Sequence, residues 1–207
     1  MRHLFSPEGS AALAATMEQR PLLAFDFDGT LASIMPRPAE ARVSQEVAQR
    51  LDRLSQVLPL AIITGRSIDD VRGRLTFEPR FIIGSHGAED PAATCGVKPS
   101  VFDAVRARLR ELAAELDVAG VTVEDKHYSM ALHYRLSPDR VRALELITDL
   151  VSGLGSDVNV YGGKMVMNVV AAQAPDKAQA VASLVAKCGT RSAVFVGDDV
   201  NDEPVFA

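Results

Sequence analysis

Cysteine is scarce in this chain. Only Cys95 and Cys188 occur among 207 residues, in unrelated contexts and with no CxxC pair. A disulfide framework is therefore not expected, and the two thiols read as small apolar residues kept reduced in a cytosolic protein. Long apolar runs are missing as well. Nowhere do about eighteen apolar residues follow one another, and the start of the chain has no apolar stretch leading to a cleavage site. The expectation is a soluble, cytoplasmic protein with no membrane partner. Positive charge is not in excess either: 22 Lys and Arg stand against 27 Asp and Glu, for a net charge of −5. That balance argues against nucleic acid as the main partner, and an anionic ligand would have to be met by local cations. Repeats and low-complexity tracts are absent.

What is present is a chain of 47% apolar and 24% charged residues, enough for one ample core or a core with a smaller lobe. Its organising stretch is Leu22 to Leu31, Leu-Leu-Ala-Phe-Asp-Phe-Asp-Gly-Thr-Leu. A short apolar run that ends in a turn signal is the pattern of a fully buried parallel strand. Asp26 then falls at its carboxyl end, Asp28 two residues on, and Gly29 lets the backbone turn sharply. A capped strand-to-helix loop would explain Asp28 and Thr30. It leaves Asp26 unexplained, because a carboxylate against a buried strand end needs a cation or a donor.

Taken in order, the first 20 residues read as a loose lead-in or short helix. Pro36 and Pro38 mark a loop, after which Val43, Val47, Leu51, Leu54 and Leu58 recur at helical spacing. Leu60 to Ile63 is a buried strand followed by Thr64-Gly65-Arg66-Ser67, and Ser67 with Asp70 resembles a capping box. Phe81 to Ile83 is a third strand, closing on Gly84-Ser85-His86-Gly87. Strand alternating with helix predicts a parallel α/β sheet.

The pattern then changes. Beyond a loop from Asp90 to Lys98, a helix is expected to open at Ser100 with Asp103 and to carry Val101, Val105, Leu109, Leu112 and Leu116 on one face. Strands are expected over Val121 to Val123 and His127 to Arg135, the second with one apolar and one polar, wet face. Ser137-Pro138 predicts the start of a helix with Val141, Leu144, Ile147 and Val151 inward. Strands over Val158 to Tyr161 and Met165 to Val170 would flank a Gly162-Gly163 turn. The α/β pattern resumes with Pro175-Asp176-Lys177, an amphipathic helix through Ala178, Val181, Leu184, Val185 and Cys188, and a strand from Ala193 to Val196 that ends at Gly197-Asp198.

In an open parallel sheet, ligands bind outside the carboxyl ends of the strands. Asp26, Asp28, Thr64, Gly84 to Gly87 and Asp198 all belong at such ends. Asp26, Asp28, Asp198 and Asp202 would concentrate negative charge, for which a hard divalent cation, most plausibly Mg²⁺, is the economical partner. Mg²⁺ in turn implies phosphate. Lys177, a cation in the first turn of a helix, opposes the macrodipole and so suggests a nearby anion. Thr64 and Gly65 can offer a hydroxyl and a backbone N–H to a phosphoryl oxygen.

Asp26-Phe27-Asp28-Gly29-Thr30, Thr64-Gly65-Arg66, Lys177 and Gly197-Asp198 through Asp202, in that order with an insertion before the lysine, resemble the four motifs of the haloacid dehalogenase superfamily of phosphatases. Within it, Gly84 to Glu89, the run from Val123-Glu124-Asp125-Lys126 through His133-Tyr134-Arg135, and Gly163-Lys164 resemble trehalose-6-phosphate phosphatases. The resemblance implies a Rossmann-like core over residues 1–95 and 172–207, with an inserted α+β cap over 96–171. It implies Asp26 as the nucleophile that becomes an aspartyl-phosphate, Asp28 as the acid and then base, and Thr64 and Lys177 as holders of the phosphoryl oxygens. Mg²⁺ would take the Asp26 carboxylate, the Asp28 backbone carbonyl and Asp198, with Asp202 as a further ligand or directly behind them. Glu124, Lys126 and Arg135 would grip the sugar hydroxyls and phosphate, with Arg66, His86, Gly87 and Asn168 completing the substrate-binding set. Without that resemblance, the same cap residues read as a solvated hairpin.

The chain departs from the family pattern at Asn168, where a glutamate is usual, at Val170-Ala171, where Arg-Pro is usual, and at Ala178, where glycine is usual. Asn168 can hydrogen-bond a sugar hydroxyl but supplies no charge. Other sugar phosphates, such as sucrose phosphate or a glycosyl-phosphoglycerate, therefore stay open as substrates. A non-catalytic sugar-phosphate-binding domain is a third possibility. Relative to the family the chain also reads as short after its fourth motif, with one sheet edge expected to be uncovered.

Overall fold

A computed structural model describes residues 3–92, 99–126 and 128–207. Cys95, His127 and most of the expected Asp90 to Lys98 loop lie outside the described residues.

The lead-in is a helix, α1 (Pro7–Glu18), capped by Ser6. Four short apolar runs form β1 (Leu22–Phe25), β2 (Leu60–Ile63), β3 (Phe81–Ile83) and, late in the chain, a strand over Ala193–Val196. They make one parallel sheet in which β1 lies between β2 and the late strand, with β3 outside β2. Successive residues point to opposite faces of a strand, and this alternation sorts the core. Leu23, Leu60, Ile62 and Ile82 pack with α2 (Gln45–Ser55) and α3 (Ile68–Arg72) on one side. Leu22, Ala24, Ala61, Ile63 and Ile83 pack on the other side with Ala180, Val181 and Leu184 of a later helix. Each such buried Leu or Ile contributes about 1.5–3 kcal/mol relative to exposure, so β1 is fixed from both faces.

The inserted segment builds its own layer. Helices α4 (Asp103–Glu111), α5 (Ala113–Val118) and α6 (Arg140–Ser152) cover one face of a sheet formed by β4 (Thr122–Asp125), β5 (Ser129–His133), β6 (Val158–Gly163) and β7 (Val166–Ala171). Its order is β4-β5-β7-β6, antiparallel throughout. The other face, expected to be wet, closes over the parallel sheet's carboxyl end instead, which buries Ser129, Ala131 and Asn168. The chain then re-enters the first layer through α7 (Lys177–Cys188) and β8 (Ala193–Val196), the late strand, which forms one edge of that sheet. Asp176 and Gln179 make a reciprocal capping box at the start of α7.

Four local expectations are corrected. The first long helix begins only at Gln45, because Ser44 caps it, and Val43 and Leu58 are buried from flanking loops. The helix expected to open at Ser100 is preceded by a 3₁₀ turn over Pro99–Phe102, starts at Asp103 without a side-chain cap, and breaks at Leu112. Ser137 does not cap α6: its hydroxyl donates to the Gly120 carbonyl at 3.0 Å, and Asp139 is the cap. The buried face of α6 is Ala143, Ile147 and Leu150, and Val141 is 71% exposed. Gly162 and Gly163 lie inside β6, and the turn is Lys164-Met165, with Met165 at φ 64°. A Cβ on Gly163 would come 2.9 Å from Val166 Cγ1, so close approach between strands, not turning, is what requires glycine there.

Among the described residues, no helix is long and apolar enough to cross a membrane.

Candidate active site

The carboxyl end of β1 carries Asp26 into a cavity between the two layers. Its Oδ1 accepts from Lys177 Nζ at 2.8 Å, and the same ammonium donates to Asp202 Oδ1 at 2.6 Å. All three side chains are almost fully enclosed. Burial pushes the Asp26 carboxyl up to about 6, against the pull of Lys177. Burial alone would discharge Lys177, but the Asp26 and Asp202 carboxylates overcome it and hold its pKa above the ordinary lysine range. Asp202 Oδ2 also accepts from the backbone N–H groups of Asp198 and Asp199, each at 3.0 Å, which shapes the loop after β8.

Asp198 completes an acidic cluster: Asp26, Asp198 and Asp202 each offer a carboxylate oxygen within 4.8 Å of the others. This all-oxygen donor set, with two of its members buried, suits a hard cation. Gly29, at φ 90°, admits Asp198 to that position, because a Cβ there would lie 2.0 Å from Asp198 Oδ2. The Lys164 ammonium, from the β6-β7 turn, pairs with the same oxygen. Asp28 stands outside the cluster. Its carboxylate sits in the guanidinium fork of Arg66, with Nε to Oδ2 and Nη2 to Oδ1 both 2.7 Å.

The β2 end contributes differently from expectation. Thr64 is fully buried and does not line the cavity; its Oγ1 accepts from the Arg66 N–H at 3.1 Å, and its carbonyl accepts from the His86 N–H at 2.9 Å. Gly65 does line it. A Cβ on Gly65 would meet the His86 ring at 2.3 Å, so glycine lets that ring lie against the chain. His86, at φ 61°, is held well below the ordinary histidine pKa by burial and then by Lys177 and Lys126, and so is neutral. It hydrogen-bonds Asn168 and meets Tyr161 edge to face at 5.2 Å. Among the described residues, His86 Nδ1 and the Tyr161 hydroxyl are buried without partners. Gly87, at φ 120°, packs against the carbonyls of Pro175 and Asp176, away from the cavity lining.

From the second layer, Glu124 Oε2 pairs with His133 Nε2 at 3.1 Å and with Lys126 Nζ at 3.4 Å. Lys126 Nζ also donates to the Gly65 carbonyl at 3.1 Å. Arg135 donates to the Met35 carbonyl and, at 2.9 Å, to the Lys164 carbonyl. Three cations of the inserted layer, Lys126, Arg135 and Lys164, thus reach acceptors on the parallel-sheet layer or brace the turn that does.

The sequence profile described as trehalose-phosphatase matches residues 24–207. The chain belongs to the trehalose-phosphatase family. It is 36% identical over 204 residues to a probable trehalose-phosphate phosphatase of Sinorhizobium fredii, spanning 95% of this chain and 76% of the relative. It is 31% identical over 193 residues to the trehalose-6-phosphate phosphatase of Escherichia coli, spanning 88% and 71%. Against the Mycobacterium marinum trehalose-phosphate phosphatase it is 29% identical and spans about half of the relative, 51%. The C-terminal domain of the C. albicans trehalose-6-phosphate phosphatase superposes with a TM-score of 0.77 at 25% identity, covering 95% of this chain and 76% of that one. The parallel sheet with its inserted layer is the haloacid dehalogenase-like fold, shared with a haloacid dehalogenase-like hydrolase from B. subtilis at a TM-score of 0.58.

Within this trehalose-phosphatase framework, the departures from the family pattern have definite places. Asn168 faces the cavity between Ala131 and Tyr161 in the sheet register and bonds His86. Val170 and Ala171 continue β7, and Ala178 lies in the first turn of α7, where alanine favours helix more than glycine does. The sequence reading gave no role to Tyr161, which meets His86, or to Met35 and Pro38 in the cavity wall, and it singled out the runs holding His133 and Asp199 without assigning either residue. His133 carried a signal, since it shares the polar face of β5. Asp199 directly follows Asp198, whereas Tyr161, Met35 and Pro38 come close only through tertiary pairing.

Proposed function

We propose that the chain hydrolyses trehalose 6-phosphate to trehalose and inorganic phosphate through an aspartyl-phosphate on Asp26. The observation that carries this reading is Asp26 at the end of β1, 2.8 Å from the buried ammonium of Lys177. An Asp26 oxygen attacks phosphorus, the ester P–O bond breaks, and the departing sugar oxygen takes a proton from Asp28. Water then attacks the phosphoenzyme, Asp28 takes its proton, and the Asp26–P bond breaks to release phosphate. Lys177 holds a phosphoryl oxygen, and Thr64 orders the Thr64 to Arg66 loop so that the Gly65 N–H can do the same.

Asp26, Asp198 and the Asp28 backbone carbonyl would hold Mg²⁺, with Asp202 behind them fixing both Lys177 and the Asp198 loop. When bound, the ion supplies charge neutralisation for the phosphoryl oxygens. Residues 96–171 serve as a cap over the core of 1–95 and 172–207, and Glu124, Lys126, Arg135, His86 and Asn168 face the sugar. The free thiol of Cys188 suits a reducing, cytoplasmic setting. Asn168 in place of a family glutamate favours a second reading, another sugar phosphate such as sucrose phosphate or a glycosyl-phosphoglycerate.

Phosphate release from a panel of sugar phosphates, with and without Mg²⁺, tests both. Fastest release from trehalose 6-phosphate is expected. A different preferred ester would shift the assignment to the second reading, and no release from any would leave a binding domain.

A further inference from the structure

Ser67 caps α3 as its sequence predicts, accepting from the Asp70 N–H at 3.3 Å, but the Asp70 carboxylate does not close a capping box. It stands between two arginines instead. Arg66, Asp70 and Arg74 are four residues apart, which places them on one side of α3 and its ends. Asp70 Oδ2 accepts from Arg66 Nη1 at 2.7 Å and from Arg74 Nε at 2.9 Å, while Oδ1 accepts from Arg74 Nη2. Both guanidiniums are buried, and Arg66 lies over the ring of Phe27, 5.3 Å from its centroid, between the two motif aspartates in sequence.

Each arginine then uses its remaining donors on the cavity side. Arg66 grips Asp28 with two bonds and donates to the Pro38 carbonyl at 2.9 Å. Arg74 Nη1 donates to the Ala39 carbonyl at 2.7 Å, with Pro38 and Ala41 carbonyls at 3.3 Å. Pro38 and Met35 form cavity wall, and Arg135 of the cap reaches the Met35 carbonyl.

A guanidinium is a rigid planar fork, so fixing one edge fixes where the other edge points. Asp70 fixes one edge of Arg66. We propose that Asp70 and Arg74 are positioning residues for the hydrolytic step: through Arg66 they aim the Asp28 carboxylate, and through the Pro38 and Ala39 carbonyls they set the wall against which the cap closes. The inference rests on the role given to Asp28 above. Both Asp28 oxygens accept from that fork, so it sets where the Asp28 carboxylate points once it has protonated the departing oxygen and must take a proton from water. The step most sensitive to Asp70 is therefore the second one.

The test compares two esters in wild type, Asp70→Asn, Asp70→Glu and Arg74→Lys. With trehalose 6-phosphate, Asp70→Asn should lower kcat roughly 10- to 100-fold, less than the 10²–10⁴-fold that a general acid–base group itself contributes, and lower KM in step, leaving kcat/KM within about threefold because the phosphoenzyme accumulates. With 4-nitrophenyl phosphate, whose leaving group needs no proton, the same variant should release nitrophenolate in a fast stoichiometric burst before a slow steady rate. The burst amplitude counts folded sites, so poor folding cannot mimic the result. Asp70→Glu should recover much of the rate, and Arg74→Lys should show a milder burst. Unchanged turnover in Asp70→Asn, or a loss of burst amplitude in step with turnover, overturns the inference. A wild-type protein inert to both esters would instead overturn the functional reading on which it rests.

Discussion

Lys177 Nζ lies 2.6 Å from Asp202 Oδ1, and neither side chain has appreciable contact with solvent. In the proposed mechanism the second acid beside this buried ammonium, Asp26, loses its negative charge when it bonds to phosphorus, which leaves Asp202 as the partner that remains. Asp202 keeps Lys177 charged throughout, and its other oxygen holds the Asp198 loop in place. One buried aspartate thus serves the cation and the acidic cluster together.

Asp26→Asn is expected to abolish Mg²⁺-dependent phosphate release, by about a thousandfold or more, since an amide cannot act as the nucleophile. The amide oxygen still accepts from Lys177, so the fold should persist. Substantial turnover by this variant, in a preparation free of other phosphatases, would rule out the covalent route.

Asp198→Ala is expected to weaken Mg²⁺ binding about tenfold or more while relieving repulsion among the three carboxylates. Lys164→Ala should do the opposite in substrate-free protein, tightening Mg²⁺ binding by up to about fivefold, because the ion no longer competes with the half-exposed ammonium paired to Asp198. Calorimetric titration with Mg²⁺ reads both. A steep fall of Tm for Asp198→Ala in metal-free buffer would make Asp198 a structural residue.

Glu124→Ala separates recognition from chemistry. The carboxylate holds His133 and Lys126 at the cavity, so turnover of trehalose 6-phosphate should fall by about 10- to 1000-fold. An aryl phosphate has no sugar to bind and should be hydrolysed at nearly the wild-type rate. Equal loss with both substrates would mean that the hairpin supports the fold. Lys126→Ala is the less clean variant, because it also cuts the tie to the Gly65 carbonyl.

His86 gives a pH prediction with a definite sign. Its pKa is held well below 6.5 by burial, so its contribution to stability is complete above about pH 6.5 and is lost as pH falls toward its folded value. Asp26 runs the other way: raised from 3.8 to about 6, its contribution is complete below about pH 4 and is lost as pH rises toward 6. His86→Asn, tolerated at positive φ, removes only the first effect. Relative to wild type, the variant should become progressively more stable as pH falls below about 6.5. Urea midpoints at pH 7, 6 and 5 in chelator measure this, and a pH-independent difference would mean that His86 is not buried as a neutral ring.

The parallel sheet was legible because its strands are short apolar runs closed by turn residues, a pattern set by local chemistry. Asp26, Asp28 and Asp198 were legible for the same reason: each follows such a run. Lys177 could be singled out because its charge opposes the start of its own helix. What escaped the sequence depends on distant partners. Ser137 has every property of a cap, yet the Gly120 carbonyl claims its hydroxyl. Gly162-Gly163 has the composition of a turn, yet Gly163 is needed where β6 crosses Val166. Arg135 reads as a ligand for sugar and phosphate, but nothing local shows that its guanidinium, in the cavity lining, is anchored on two backbone carbonyls, one of them 100 positions away.

The strand order carries a consequence for biosynthesis. β1 pairs on one side with β2, which follows soon after, and on the other with β8, whose first partner is Leu22 to Ala193. A ribosome makes the chain from its N-terminus, so the strand that carries Asp26 at its end waits with an open edge while the whole inserted layer is produced. Closing a loop of that length makes the pairing slow compared with local hairpins. Nascent chains halted before β8 should therefore expose a hydrophobic strand edge and depend on holding chaperones. They should show no phosphatase activity even with every residue of the first two motifs in place.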